Sequence, residues 1–214
     1  MIPPTAATSP VDASPVSDAP DAPAPRRVGS GDPDRRRLSL LVASHGVDDF
    51  YQGAIPALVP FLTAAHALTF AQAGGLVFAV NVLSSVLQPL LGWWADRRSR
   101  PWLIALGLVC VSSGIALAVL APTYRLALAA LVLTGIGVAA YHPEATRAVH
   151  HAAGAKRGTA MSLFALGGNL GFALGPVLVV PVATAFGMRA VAWLALPAFA
   201  VAALMLARAP RRRA

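Results

Sequence analysis

The chain has a single cysteine, Cys110, set inside an apolar run, so no internal disulfide framework is available and cysteine usage gives no redox compartment. It reads as a small buried hydrophobe. Charge is also scarce: charged residues make up 12% of the chain and hydrophobic residues 57%, with a mean hydropathy of +0.65. A soluble domain carries roughly 25% charged residues. The composition therefore excludes an ordinary soluble domain and implies a polytopic membrane protein. Acidic residues are the scarcer sign, 9 against 17 Lys and Arg, for a net charge of +8. On a globular domain that surplus would suggest nucleic acid. Here the basic residues punctuate apolar segments, so topology accounts for them and no nucleic-acid partner is expected.

Residues 1–36 are rich in Pro, Ala, Ser and Asp and poor in large apolar side chains, which predicts a disordered cytoplasmic tail. The start carries no basic region followed by an apolar one, so it does not read as a signal peptide. Six apolar blocks follow, each long enough to cross a ~30 Å hydrocarbon core as a helix. They run over Leu38 to Leu62, Phe70 to Trp93, Trp102 to Leu120, Leu126 to Thr146, Thr159 to Ala183 and Ala190 to Leu206. The predicted fold is an all-α six-helix bundle over 37–207, ending in a basic stretch over 208–214. Placing the tail, the second and fourth loops and the C-terminus on one side gathers 15 of the Lys and Arg residues there, leaving Arg125 and Arg189 opposite. By the positive-inside rule both termini are then cytoplasmic, in a cell membrane.

Against that apolar background, Ser44 to Gln52 stands out: Ser-His-Gly-Val-Asp-Asp-Phe-Tyr-Gln. His45, Asp48, Asp49 and Gln52 fall on one helical stripe. A carboxylate in a membrane helix costs on the order of 3 kcal/mol, so such groups usually face protein or a water-filled path. Counted from the cytoplasmic end, Asp48 and Asp49 lie near the midplane, where transporters keep substrate and coupling-ion sites. Further along, Asn81 is either cavity lining or interhelical glue. His142 and Glu144 are read as a proton path near the cytoplasmic end of the fourth helix, with a Glu144–Arg147 ion pair as the alternative. Asn169 is a further candidate for the polar lining.

Between the second and third helices the chain reads Gly92-Trp93-Trp94-Ala95-Asp96-Arg97-Arg98-Ser99-Arg100. Gly92 would admit a neighbouring helix, and Asp96 would sit by the start of the third helix, where the dipole favours an anion. The pattern resembles the Gly-x-x-x-Asp-Arg-x-x-Arg loop of the major facilitator superfamily, which implies a cytoplasmic latch of Gly92, Asp96, Arg97 and Arg100. Small residues of the fourth helix, Gly135, Gly137, Ala139 and Ala140, resemble that family's fourth-helix motif, whose arginine is replaced by Leu131. In the fifth helix Gly167, Gly171, Gly175 and Pro176 are similar to the antiporter signature of the superfamily. They form either a hinge or a plain packing face. The segments around Ser44 to Gly53, Tyr141 to Glu144 and Gly158 to Gly171 together resemble the fosmidomycin resistance branch.

The resemblance implies a proton-coupled exporter of a small organic molecule or drug. Asp48, Asp49, His45, Gln52, Asn81, His142, Glu144 and Asn169 would bind the proton or the substrate. Such transporters have two six-helix halves, so the expected partners are the bilayer, the substrate and protons, and a second half or a second copy. The chain is expected to be a fragment or one half. Two other readings use the same residues: a homo-oligomeric channel with Asp48 and Asp49 in a charged ring, and a truncated remnant without function. A metal enzyme using His45, Asp49, His142 and Glu144 ranks last, because no His-Glu-x-x-His spacing occurs and depth is expected to separate the two pairs. No cofactor, bound metal or enzymatic activity is expected.

Overall fold

Apolar runs without competing turn residues leave the backbone little choice in a membrane except to bond to itself as helix. The computed structural model describes residues 32–208, which form α1 (Arg35–His66), α2 (Phe70–Arg97), α3 (Trp102–Leu120), α4 (Tyr124–Ala152), α5 (Arg157–Phe186) and α6 (Leu196–Ala207). Most of the expected tail and the basic stretch after Arg208 lie outside the described residues. Ends are set locally. Asp34 accepts the Arg37 N–H, Thr69 and Gln72 form a capping box, and the Thr123 hydroxyl accepts the Leu126 N–H.

Among the described residues, five segments are long and apolar enough to span a bilayer: α2, α3, α4, α5 and Met188–Ala207. Its polar stripe keeps α1 out of that set, although its 32 residues give ample length. The last span departs from the expected continuous helix, since Met188–Ala195 is wound as 3-10 helix before α6 begins. Pro197 accounts for the last bond of this stretch. It has no N–H to offer the Trp193 carbonyl, which takes the tighter bond from the Leu196 N–H instead.

The longest shared face joins α1 to α5, and the next joins α3 to α4. Glycine makes the first possible. A Cβ on Gly171 would collide with the Gly46 carbonyl, and one on Gly175 would come within 2.6 Å of the Phe50 carbonyl oxygen. The α5 glycine row is thus a packing face, and its partner is α1. Two apolar cores result, one around Tyr51, Leu58, Leu76 and Leu131, the other around Leu41, Leu108, Tyr141 and Phe164. Val47 packs against both, and its neighbours His45, Asp48 and Asp49 lie at the junction.

Candidate functional site

The stripe on α1 closes on itself. Gln52 donates from Nε2 to Asp48 Oδ2 at 3.3 Å and also to Asp49 Oδ1, and His45 Nε2 stands 3.3 Å from Asp49 Oδ2 one turn away. Asp48 is fully buried, and its Oδ1 has no hydrogen-bond partner. The ring of His45 stacks on Phe164 at 3.9 Å, and its Nδ1 lies 2.7 Å from the Phe164 carbonyl oxygen. Beside it, Ser44 Oγ and Tyr141 Oη share a 2.7 Å hydrogen bond. Gly168 leaves the room these groups use, because a Cβ there would strike Asp49 Oδ2 and the His45 ring.

From α4, His142 enters the same cluster. Its Nε2 is 3.4 Å from Asp49 Oδ1, its Nδ1 is 3.7 Å from Asp48 Oδ2, and its ring meets that of His45 edge-on at 5.3 Å. The expected separation in depth is therefore wrong for His142. The Asp34 N–H donates to the Ala152 carbonyl at 2.9 Å, so the start of α1 and the end of α4 lie side by side. Counting from these ends, Asp49 is 14 residues in and His142 is 10, or about 21 and 15 Å at 1.5 Å per residue. The sequence reading ended the fourth helix at Thr146, which brought His142 too near the surface.

Glu144 behaves differently. Two residues from His142, it points to another face of α4. Its Oε1 accepts the Ser99 hydroxyl at 2.9 Å and the Arg100 N–H at 3.1 Å, and Arg147 Nε lies 3.4 Å from Oε2. The structure thus gives the Glu144–Arg147 pair and ties the α2–α3 connection to α4. Asp96 does not take the position expected for it. It sits exposed in the last turn of α2, and Glu144 is the carboxylate that meets the backbone entering α3. In the same loop Arg97 stacks over Trp93 at 3.6 Å and Arg100 over Trp94 at 3.5 Å. Gly92 faces α4, where an added Cβ would lie 3.8 Å from the Pro143 side chain.

Asn81 and Asn169 are not brought into the cluster. Asn81 is exposed, donates to the Val77 carbonyl, and shares a pocket of about 90 Å³ with Gln52. Asn169 is exposed on α5, as is Pro176. A larger pocket of about 390 Å³ between α1, α5 and α6 is apolar and does not include the carboxylates. Sequence reasoning missed Ser44, Tyr141, Phe164 and Gly168. Ser44 could have been found, since it directly precedes the stripe. The others become neighbours only through helix packing.

Residues 39–214 match the Major Facilitator Superfamily. The chain belongs to this superfamily. It is similar to the uncharacterized MFS-type transporter YfnC of Bacillus subtilis (strain 168), with 37% identity over 161 residues, which is 75% of this chain and 39% of that protein. It is also similar to the fosmidomycin resistance protein of Escherichia coli (strain K12), with 36% identity over 174 residues, 81% of this chain and 43% of the relative. The chain spans less than half the length of both curated relatives. The superfamily is one of transporters rather than enzymes, and membership together with the apolar helices makes this a multi-pass membrane protein with half of the superfamily fold.

Proposed function

We propose that the chain is one half of a proton-coupled efflux transporter for a small organic molecule, in a cell membrane with both termini cytoplasmic. The observation that carries this is the cluster in which two carboxylates and two imidazoles from α1 and α4 meet inside the membrane-spanning bundle. Groups of that kind in a bilayer mark ion and substrate paths. Similarity to the fosmidomycin resistance protein supports export as the direction and a drug as the cargo. A second six-helix body, or a second copy, would supply the facing wall of the path. In this reading Gly92, Arg97 and Arg100 form the cytoplasmic latch, with Glu144 as its carboxylate in place of Asp96. Gly167, Gly171 and Gly175 hold α5 against α1, so that the two helices move as one body in rocking.

The test is fosmidomycin accumulation in cells expressing the chain together with the second six-helix half of the Escherichia coli relative, with and without a protonophore, alongside Asp48→Asn and Asp49→Asn variants at matched membrane abundance. Lower accumulation that is abolished by the protonophore and by both substitutions is expected. Accumulation equal to that of cells without the chain overturns the reading. So does reduced accumulation that ignores the gradient, which would fit a channel.

A further inference from the structure

The two imidazoles of the cluster are held in the same sense. His45 Nδ1 lies 2.7 Å from the Phe164 carbonyl oxygen and His142 Nδ1 lies 3.0 Å from the Val138 carbonyl oxygen. A carbonyl oxygen only accepts, so each Nδ1 carries a proton, and in a neutral ring the lone pair is left on Nε2. Both Nε2 atoms then face one carboxylate: His45 meets Asp49 Oδ2 at 3.3 Å, and His142 meets Asp49 Oδ1 at 3.4 Å. Acceptor faces acceptor twice. With neutral rings that arrangement is repulsive in a water-poor interior, and either a proton on each Nε2 or a cation between the atoms relieves it. Asp48, fully buried with an unpartnered Oδ1, adds a second carboxylate alongside. With neutral rings the four groups sum to two negative charges, which a single divalent cation balances.

We infer that His45, Asp49 and His142 form a binding site for one divalent transition-metal ion of the zinc type, with Asp48 as the neighbouring charge. The ligand atoms all lie within 4.8 Å of one another. Bonds of about 2.0–2.1 Å in a tetrahedral ion put neighbouring ligand atoms about 3.3–3.4 Å apart; His45 Nε2 reaches that spacing from Asp49 Oδ2 and His142 Nε2 from Asp49 Oδ1, so the two imidazoles flank different oxygens of one carboxylate. Two imidazoles and a carboxylate favour Zn²⁺, Co²⁺ or Ni²⁺ over Mg²⁺ or Ca²⁺. Backbone carbonyls on both Nδ1 atoms are the outer support that metal-binding histidines characteristically have, fixing the ring and the tautomer. The three ligands leave a fourth position for water. Glu144 takes no part, since it is engaged with Ser99, Arg100 and Arg147. This inference rests on the cluster's geometry and is independent of the transport reading.

The chain has 5 histidines, so the triple variant His66→Ala, His150→Ala, His151→Ala leaves only His45 and His142. The untagged variant of this chain in detergent is titrated with Co²⁺ and, separately, studied by electron paramagnetic resonance with Cu²⁺. A single Co²⁺ per chain with tetrahedral ligand-field bands, displaced by Zn²⁺ and not by Mg²⁺, is expected, together with hyperfine coupling from two imidazole nitrogens on Cu²⁺. Adding His142→Asn should weaken Co²⁺ binding by at least ~10-fold. Substoichiometric uptake, Cu²⁺ spectra without imidazole nitrogen, or unchanged affinity on His142→Asn overturns the site. Should His142→Asn fail to fold, the nitrogen coupling in the two-histidine chain decides alone. Metal binding without gradient-driven efflux keeps this inference and removes the transport reading. Efflux without metal binding does the reverse.

Discussion

His142 Nε2 on α4 stands 3.4 Å from Asp49 Oδ1 on α1, and this contact joins two helices that are distant in sequence at a comparable depth in the bundle. Removing one partner of such a part-buried pair strands the other. Asp49→Asn and His142→Ala should each destabilise the detergent-solubilised protein, while the double variant should lose less than the sum, with a coupling of about 0.5–3 kcal/mol. Thermal unfolding of the four proteins measures it. Strict additivity would show that the two groups do not sense each other.

Glu144 should matter for stability through the loop it holds. Glu144→Ala removes the acceptor for Ser99 and Arg100 and leaves the part-buried Arg147 without its anion, so a loss of about 3–5 kcal/mol is expected. Ser99→Ala should cost less, of order 1 kcal/mol. Solvent labelling of a cysteine placed at Arg98 should rise in Glu144→Ala and stay unchanged in Asp96→Ala.

The α1–α5 contact predicts a contrast among glycines. Gly171→Ala forces a methyl group into the Gly46 carbonyl, backbone against backbone, and should cost at least ~1–3 kcal/mol or prevent folding. Gly74→Ala, on α2 with open space around it, should be neutral or stabilising by about 0.5–1 kcal/mol. Equal thermal midpoints for the two variants would contradict the packing described.

At the end of α1 the chain turns through Ala67, a non-glycine residue in the left-handed region with φ of 48°. An L side chain pays roughly 1–2 kcal/mol for that conformation. Ala67→Gly should therefore raise the unfolding midpoint, and a lowered midpoint would show that the turn is held for another reason.

Much of the architecture was legible because spans and turns are local. Trp102–Leu120 appears with the same bounds in sequence and structure, bracketed by Pro101 and Pro122. The α1 stripe was legible for the same reason, since a period of 3.6 settles which of its residues share a face. The end of α4 was harder. Hydropathy falls at Arg147, His150 and His151, yet the helix continues to Ala152, because helical bonding does not stop where apolar side chains do. Partner choice was least legible. Nothing local says that His142 meets α1 while Glu144 meets the α2–α3 loop, although their spacing of two residues already forbids a common face. The end of the 3-10 stretch was within reach through Pro197, whose missing N–H leaves the Trp193 carbonyl without its α bond, whereas nothing local announces its start at Met188.

The glycine row of α5 has a mechanical consequence. Because α1 and α5 touch backbone to backbone, they behave as one stiff plank carrying Asp48, Asp49 and His45, while α4 with α3 forms a second plank carrying His142. The cluster is then a rivet between two planks. Whatever sits between the imidazoles and Asp49 sets how firmly they are fastened, and a slide of about one ångström would unfasten them.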